Sequence, residues 1–178
     1  MIPESEIRQA TIGDAAEILA LQKLAYQSEA QIYGDWTLPP LLQTLEEVLE
    51  QFRDHVFLKA VICGSIIGSV RTCLSASTCH IGRLIVHPNW RNLGIGTRLL
   101  LEAERMHSDA SRFELFTGSR SLGNLRHYRR LGYVEFRRES LSNQVVLVYL
   151  EKRVLSAPLA APVGKRNGGE KSSGPLMP

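Results

Sequence analysis

The chain has 178 residues, a net charge of +3 and an apolar content of 44%. This length suggests one domain, and the apolar content suffices for a folded core, which excludes wholesale disorder. The mild positive charge permits an anionic ligand but does not by itself indicate nucleic acid, and we find no base-stacking pattern for such a partner.

The sequence also argues against export and membrane insertion. The N-terminus carries acidic residues early and lacks the apolar core of a signal peptide, and the apolar-leaning run KAVICGSIIGSV is too short and glycine-rich to span a bilayer. Three cysteines, Cys63, Cys73 and Cys79, form no CxxC pair, which favours reduced thiols in a cytoplasm. The spacing of Cys73, Cys79 and His80 fits no standard zinc finger, so we predict no metal site.

The first elements are a strand and a helix. A strand over 6–10 leads into a helix over 11–27, in which Asp14 and Glu17 have the spacing of a capping box. The segment GDWTLPP, residues 34–40, breaks this helix with glycine and two prolines.

The next helix begins near Thr44 and Glu47, which again have capping-box spacing. Three strands follow, over 56–62, 66–74 and 80–86. Their connections are short, which predicts that the three strands pair antiparallel.

The second half alternates helices and strands. A helix over 97–106, a strand over 113–117 and a helix over 121–131 come first, and Gly132 should end the last of these as a left-handed cap. Strands over 133–138 and 145–151 close the domain. The predicted order is β-α-α-β-β-β-α-β-α-β-β, an α/β (α+β) fold with a mixed sheet of about seven strands and about four helices. We assign residues 1–155 to the domain and 156–178, rich in Pro, Gly and Ser, to a disordered tail.

Between the strand at 80–86 and the next helix lies HPNWRNLGIGTRLL, residues 87–100. A strand that enters a helix through glycines leaves N–H groups unpaired, and the helix dipole adds partial positive charge there. This predicts an anion nest suited to a phosphate, with Arg91 and Arg98 adding charge at its rim. A Walker A lysine after Gly96 and the third glycine of a dinucleotide fingerprint are both missing. A simple tight turn is the alternative.

A second segment, SLGNLRHYRRLGYVEF, places Asn124 and Tyr128 one helical turn apart and ends in Gly132-Tyr133. Together with the bend from Arg91 to Gly96, it resembles the GCN5-related N-acetyltransferase family over about residues 6–151. In that family an R/Q-x-x-G-x-G/A bend binds the pyrophosphate of acetyl-CoA, and the order of elements matches the one predicted here.

The resemblance implies an acetyl-CoA-dependent N-acetyltransferase that acts on a primary amine of a small molecule or protein. It implies that acetyl-CoA is held by Leu84, Ile85, Val86, Arg91, Asn92, Leu93, Gly94, Ile95, Gly96, Thr97, Asn124, Tyr128 and Arg130. Tyr128 would protonate the departing thiolate, because a phenol of pKa about 10 stays protonated at neutral pH. The alternatives are a core aromatic for Tyr128, a helix cap for Asn124 and a solvated basic face for Arg129 and Arg130.

The base that deprotonates the amine has two candidates, His80 and Glu29, and ordered water is a third possibility. Tyr33, Asp35 and Trp36, in the loop after the first helix, are candidates for lining an acceptor pocket, with a surface loop as the alternative. The sequence does not decide whether Arg83 shapes that pocket. We expect the enzyme to be a monomer or homodimer. A non-catalytic acyl-CoA-binding module on the same fold is the alternative to an enzyme.

Overall fold

Seven β-strands and five α-helices form residues 5–154, the part of the chain that the structure, a computed structural model, describes. The strands are β1 (Glu6–Gln9), β2 (Val56–Ile62), β3 (Ser65–Ser75), β4 (Thr78–Val86), β5 (Arg112–Gly118), β6 (Val134–Ser140) and β7 (Val146–Arg153). The helices are α1 (Ala15–Tyr33), α2 (Pro39–Leu42), α3 (Leu45–Gln51), α4 (Ile95–Met106) and α5 (Leu122–Arg130). Every predicted element is present, and the short helix α2 is an addition. The tail predicted for 156–178 lies outside the described residues.

All seven strands lie in one sheet, in the order β1-β2-β3-β4-β5-β7-β6. The antiparallel pairing predicted for β2, β3 and β4 is confirmed. β7 is antiparallel to both of its neighbours, β5 and β6, whereas β4 and β5 are parallel. The predicted mixed α/β fold class is therefore confirmed.

The start of α1 differs from the prediction. The capping box forms between Thr11 and Asp14, whose carboxylate accepts the Thr11 N–H at 2.8 Å, and not between Asp14 and Glu17. Asp14 also contacts Lys59 Nζ at 2.6 Å. Glu17 accepts the backbone N–H of Ile66 at 2.7 Å. The two carboxylates therefore attach the start of α1 to β2 and β3, a non-local role that capping-box spacing does not reveal.

The region after α1 also corrects one boundary. α1 continues past the predicted end at residue 27, because no helix-breaking residue occurs before Gly34. The two prolines then begin α2, since the fixed φ of proline suits a first helical turn. The second capping box is confirmed: Thr44 Oγ1 accepts the Glu47 N–H at 3.2 Å, and Glu47 accepts the Thr44 N–H at 2.8 Å.

The helices cover both faces of the sheet. Alternate residues of a strand point to opposite faces, and the buried strand residues accordingly divide into two cores. α1 packs on one face through Ile18 and Leu21, and α3 packs on α1 through Val48. α4 and α5 pack on the other face, where Leu99 and Leu125 are buried.

Gly68 in β3 permits α4 to lie close to the sheet. A Cβ at this position would lie 2.9 Å from Leu99 Cδ1, 3.2 Å from Ile95 Cγ2 and 3.2 Å from the carbonyl oxygen of Ile85. Leu99 and Ile95 are both buried, so neither side chain has open space into which it can retreat.

We expect Gly68→Ala to lower the free energy of unfolding by about 1–3 kcal/mol, because the added methyl group overpacks the contact between α4 and β3. Gly123→Ala in α5 is the matched control, since a Cβ there meets nothing within 4 Å. Alanine should there be neutral or stabilise by up to about 1 kcal/mol. Urea denaturation measures both changes. Wild-type stability in Gly68→Ala would contradict the packing role.

Candidate active site

The sheet opens between β4 and β5. These strands pair at only three positions, Thr78 with Arg112, Cys79 with Phe113 and His80 with Glu114. Beyond them β4 continues to Val86 and β5 to Gly118 without pairing to each other. We call the space between residues 81–86 and 115–118 the cleft. One edge of β4 therefore carries backbone groups that no neighbouring strand pairs.

A β-bulge in β4 accompanies the opening. The pairing with β3 shifts between Ser69–Ile85 and Arg71–Gly82, so that two residues of β4 oppose one residue of β3. Arg83 lies in this bulge with a left-handed φ of 51°. Bulges bend the strand that carries them and increase its twist, which turns the end of β4 away from β5.

The bend that follows β4 presents free backbone donors. Asn92 and Gly94 have φ of 62° and 80°, and α4 begins at the next residue, Ile95. Within residues 5–154, the backbone N–H groups of residues 92–97 form no hydrogen bond. Successive unpaired N–H groups at a helix start make an anion-binding concavity. The structure thus forms the kind of nest that the sequence predicts.

The arginines of this bend bind protein groups instead of lying at its rim as predicted. The Arg91 guanidinium donates to the carbonyl oxygens of Ala25 at 2.8 Å and Val86 at 3.3 Å, and to Ser28 Oγ at 3.1 Å. The Arg98 guanidinium donates to Ser5 Oγ at 2.7 Å and to the Ser5 carbonyl oxygen at 2.8 Å. Arg91 therefore fastens the bend to α1, and the positive character of the nest comes from the backbone.

The two glycines of the bend serve different ends. Gly94 has a conformation that side chains other than glycine adopt only with strain. A Cβ on Gly96, in contrast, would make an ordinary contact with Val86 Cγ2 at 3.6 Å. The fold accounts for glycine at 94 but not at 96, where the missing side chain leaves the nest open to close approach.

Tyr128 in α5 is buried, and its hydroxyl has no hydrogen-bond partner among residues 5–154. Burial raises the pKa of its phenol, and Tyr26 and Glu29 of α1 add to the increase. α5 and α1 pack on opposite faces of the sheet, so these side chains influence each other where β4 and β5 separate. The phenol is thus a neutral donor beside the cleft.

Glu29 and Asn124 belong to a polar cluster at the same place. Glu29 accepts hydrogen bonds from Ser121 Oγ and, at 3.5 Å, from Asn124 Nδ2. Asn124 also donates to Thr117 Oγ1 at 3.2 Å. Asn124 lies inside the first turn of α5 and does not cap it, because the cap position belongs to Ser121. The structure therefore brings together Glu29, Asn124 and the neighbourhood of Tyr128.

His80 lies apart from this cluster. It occupies the last position of β4 that pairs with β5. Its side chain is half-exposed, and Nδ1 lies 3.9 Å from Glu114 Oε1. Glu114 is itself bound by Arg112 at 2.7 Å. No hydrogen bond or ion pair within the described residues joins His80 to Glu29 or Tyr128.

The remaining predicted residues have mixed placements. Arg129 contacts Glu135 at 3.5 Å, whereas Arg130, exposed at the end of α5, has no ion pair among residues 5–154. Tyr33 is buried and its hydroxyl accepts the backbone N–H of Arg120 at 2.8 Å. Trp36 is 56% exposed. Asp35 accepts hydrogen bonds from the backbone N–H and the hydroxyl of Thr37 in the same loop. Of these, Arg130 keeps a free cationic group.

Sequence reasoning missed two side chains near the cleft, Tyr26 and Arg71, and left the role of Arg83 undecided. Arg83 lies over the ring of Tyr26, 5.7 Å from its centroid. Burial, followed by the charge of Arg83, lowers the pKa of Arg71 on β3. Nothing local in the sequence marks the bulge that directs Arg83 towards α1. The tyrosine at position 26 reads as one more apolar helix residue.

Metal and membrane features can be stated for residues 5–154 alone. No group of three His, Cys, Asp or Glu side chains suited to a metal ion occurs there. Burial raises the pKa of the Cys79 thiol to about 12, which disfavours a thiolate ligand. No helix of this part combines the length and the apolar character needed to cross a bilayer.

Comparison with known proteins gives a family and a partial relative. The model of the Acetyltransferase (GNAT) domain family matches residues 53–135, which include the bend and α5. The UPF0157 protein YqkA of Bacillus subtilis (strain 168) is 30% identical over 133 residues. That alignment covers 75% of this chain but 38% of YqkA, so the chain spans well under half of this relative.

Solved structures share the fold at low identity. The PaiA N-acetyltransferase from Thermoplasma acidophilum, in complex with coenzyme A, has a TM-score of 0.67 and 21% identity over 85% of this chain and 99% of that chain. The ribosomal-protein-S18-alanine N-acetyltransferase from Escherichia coli has a TM-score of 0.72 and 11% identity over 93% of this chain and 100% of that chain. At such identities the likeness establishes the fold.

Proposed function

Because this chain belongs to the GCN5-related N-acetyltransferase superfamily, we propose that it transfers an acetyl group from acetyl-CoA to a primary amine. The observation that carries the proposal is the nest of free N–H groups at residues 92–97, next to the unpaired edge of β4. The nest suits a pyrophosphate, and the edge suits an extended chain that carries amides. Coenzyme A contains both parts.

In this proposal the acyl donor lies along these two features. The pyrophosphate binds the amides of residues 92–97, and the pantetheine arm lies beside Leu84, Ile85 and Val86 in the position that a paired β5 would occupy. Arg130, which has no partner in the described part of the chain, provides a cation for the 3′-phosphate. Asn124 is the polar side chain available to the pantetheine arm.

Tyr128 is the acid in this proposal. Attack of the amine on the thioester carbonyl gives a tetrahedral intermediate, whose collapse expels a thiolate that takes up a proton. A phenol with a raised pKa remains protonated at neutral pH and above, and the Tyr128 hydroxyl has no competing partner among residues 5–154. The proton therefore comes from a group that is already beside the leaving sulfur.

Glu29 is the favoured base. Glu29 lies beside the cleft, in the polar cluster with Asn124. His80 instead forms a half-exposed pair with Glu114, outside that cluster. An amine arrives largely as ammonium and must lose a proton before attack. A carboxylate that already accepts two hydrogen bonds also suits ammonium binding, so Glu29 is proposed either to hold the ammonium or to accept its proton.

A screen tests the proposal directly. Acetyl-CoA is mixed with a panel of small amines, polyamines and peptides with free N-termini, and release of free thiol is followed. Turnover of any amine supports the enzyme, whereas tight acetyl-CoA binding without turnover of any of them supports the non-catalytic module. The three free cysteines are compatible with a cytoplasmic location, which stays part of this proposal, as does a monomeric or homodimeric state.

Gly96→Val should weaken acetyl-CoA binding at least about tenfold, or roughly 1.4 kcal/mol, because a branched side chain blocks approach to the nest. The variant should remain folded, since a Cβ at this position makes an ordinary contact. Isothermal titration calorimetry with acetyl-CoA measures the change, and Gly123→Ala is the control. Wild-type affinity in folded Gly96→Val would disprove the nest.

Tyr128→Phe should lower kcat by about 10², the low end for a general acid, because a thiolate is already a fair leaving group. The fold should survive, since the hydroxyl has no hydrogen bond to lose in the described residues. Tyr149→Phe is the matched control, because Tyr149 lies on β7, which β5 separates from the cleft.

The pH profile gives an independent check on Tyr128. Its pKa is raised, so its acid form persists as pH increases through the ordinary phenol value of about 10. We expect wild-type kcat to hold its plateau up to pH 10. A decline centred near 10 that Tyr128→Phe abolishes would contradict the raised pKa.

The base assignment is tested by Glu29→Gln and His80→Ala. If Glu29 accepts the proton, Glu29→Gln lowers kcat at neutral pH and recovers as pH rises and free amine becomes available; if it holds the ammonium, mainly the acceptor KM rises. His80→Ala should change neither parameter by more than about twofold. Loss of kcat in His80→Ala alone would reverse the assignment, and no response in either variant would leave water as the acceptor.

A further inference from the structure

A cavity lies on the face of the sheet that α1 and α3 cover, and it borders the cleft at Arg83. Its volume is about 600 Å³, and Gln51, His55 and Arg83 are among the residues that line it, together with residues of α2 and α3. Arg71 stands next to it, opposite Gly82 in the register of β3 and β4, and donates to Gln51 Oε1. We call this cavity the arginine pocket.

The base of the arginine pocket carries positive charge without a counter-ion. Neither Arg71 nor Arg83 has an ion pair within residues 5–154. Arg83 Nε is enclosed and has no hydrogen-bond partner in this part of the chain, and the same is true of His55 Nδ1. Arg71 donates to a neutral amide, and Arg83 contacts the ring of Tyr26. An enclosed guanidinium N–H is normally paired, so the free Nε–H of Arg83 indicates a missing acceptor.

Burial and the positive charge of the arginine pocket lower the pKa values of Arg71 and His55. Burial, followed by the charge of Arg83, lowers the pKa of Arg71 to about 10. Burial, followed by the charge of Arg71, lowers the pKa of His55 below its ordinary value. Arg71 still carries its proton at neutral pH. The arginine pocket therefore holds two mutually repelling cations that an anion would stabilise.

The position of Arg83 connects this pocket to the chemistry. Arg83 lies in the bulge that accompanies the opening of the cleft, directly before Leu84 and the edge where the acyl donor is placed. Its backbone has a left-handed φ of 51°, a strained conformation for a residue other than glycine that is typical of functional sites. An acceptor in the arginine pocket would thus lie next to the thioester.

We propose that the acceptor amine carries an oxyanion, a carboxylate or a phosphate, and that Arg83 binds this group with Arg71 behind it. This inference rests on the proposed acetyltransferase function. The planar guanidinium matches both oxyanions with paired hydrogen bonds, and its free Nε–H is one of the donors suited to such a pair.

Acidic residues at the rim do not oppose this choice. Glu47, Glu50 and Asp54 also line the cavity, but all three are exposed on α3 and the turn after it. Glu47 accepts the backbone N–H of Thr44, and Glu50 faces Arg53 at 4.0 Å. Solvent screens exposed charges, whereas Arg71 and Arg83 are only partly exposed and Arg83 Nε is enclosed, so the two arginines determine which sign of ligand is held.

Matched acceptors test the inference in turnover. Each amine carboxylate and amine phosphate in the screen is paired with its neutral amide or alcohol, and kcat/KM is measured for both. Wild type should prefer the anionic member by at least about tenfold. Arg83→Gln should abolish that preference, mainly through KM of the anionic acceptor. Arg83→Lys, which keeps the charge but not the fork, should retain part of it. Arg105→Gln, an exposed arginine of α4 paired with Glu102, is the control.

A binding experiment keeps the inference testable if no amine is turned over. The Nε–H signal of Arg83 is assigned in a ¹⁵N spectrum by its loss in Arg83→Gln, and acetate or inorganic phosphate is added at constant ionic strength with chloride as the reference ion. A saturable shift of that signal supports the pocket, and Arg71→Gln should weaken it.

The outcomes separate the two proposals. Turnover without preference for the anionic acceptor overturns the inference whatever the spectrum shows, and leaves the acetyltransferase proposal intact. Absence of turnover with every amine defeats the enzyme proposal, and the spectrum then decides on the pocket. A signal that moves no more with acetate or phosphate than with chloride overturns the pocket in that case.

Discussion

The loss of pairing between β4 and β5 is the constraint on which the site depends. Three residue pairs join the two strands, and past His80 they no longer pair with each other, although β4 stays paired with β3 and β5 with β7. An unpaired strand edge inside a sheet is costly, because backbone donors and acceptors lose partners that water replaces poorly in a narrow cleft. The edge is useful when a ligand completes the pairing. The bulge, the free amides of the bend and the phenol of Tyr128 all lie around this one opening.

The same opening lets side chains from opposite faces of the sheet reach one space. Tyr128 belongs to α5 and Glu29 to α1, and a continuous sheet would separate the two faces by its full thickness. In the proposed mechanism these two side chains would supply the proton donor and the proton acceptor that thioester aminolysis requires.

Local sequence signals predicted most of the fold. The strand β2 and the capping box at Thr44 were predicted because an apolar run bounded by a turn and a capping spacing are both properties of neighbouring residues. The bend and the spacing of Asn124 to Tyr128 were found because each motif is short and contiguous. The length of α1 was underestimated, since residues up to Tyr33 are compatible with helix and no nearby residue ends it.

The features that sequence reasoning missed depend on distant contacts. The bulge at Arg83 results from how β3 and β4 align, and no residue type marks it. The charge of the arginine pocket arises from Arg71 on a different strand. Arg91 was assigned to the rim of the nest because a cation beside a phosphate site is chemically sensible, but its guanidinium finds Ala25 and Ser28 on α1.

The contact of Arg91 with α1 connects the two proposed substrate sites directly. Its guanidinium joins the bend to α1 only a residue before Glu29, so the backbone that would hold the pyrophosphate and the carboxylate that would receive the amine share a single frame. In the proposed complex this contact would help to set the distance from phosphate to acceptor before either substrate arrives, which would reduce the ordering entropy needed to bring the reactants together.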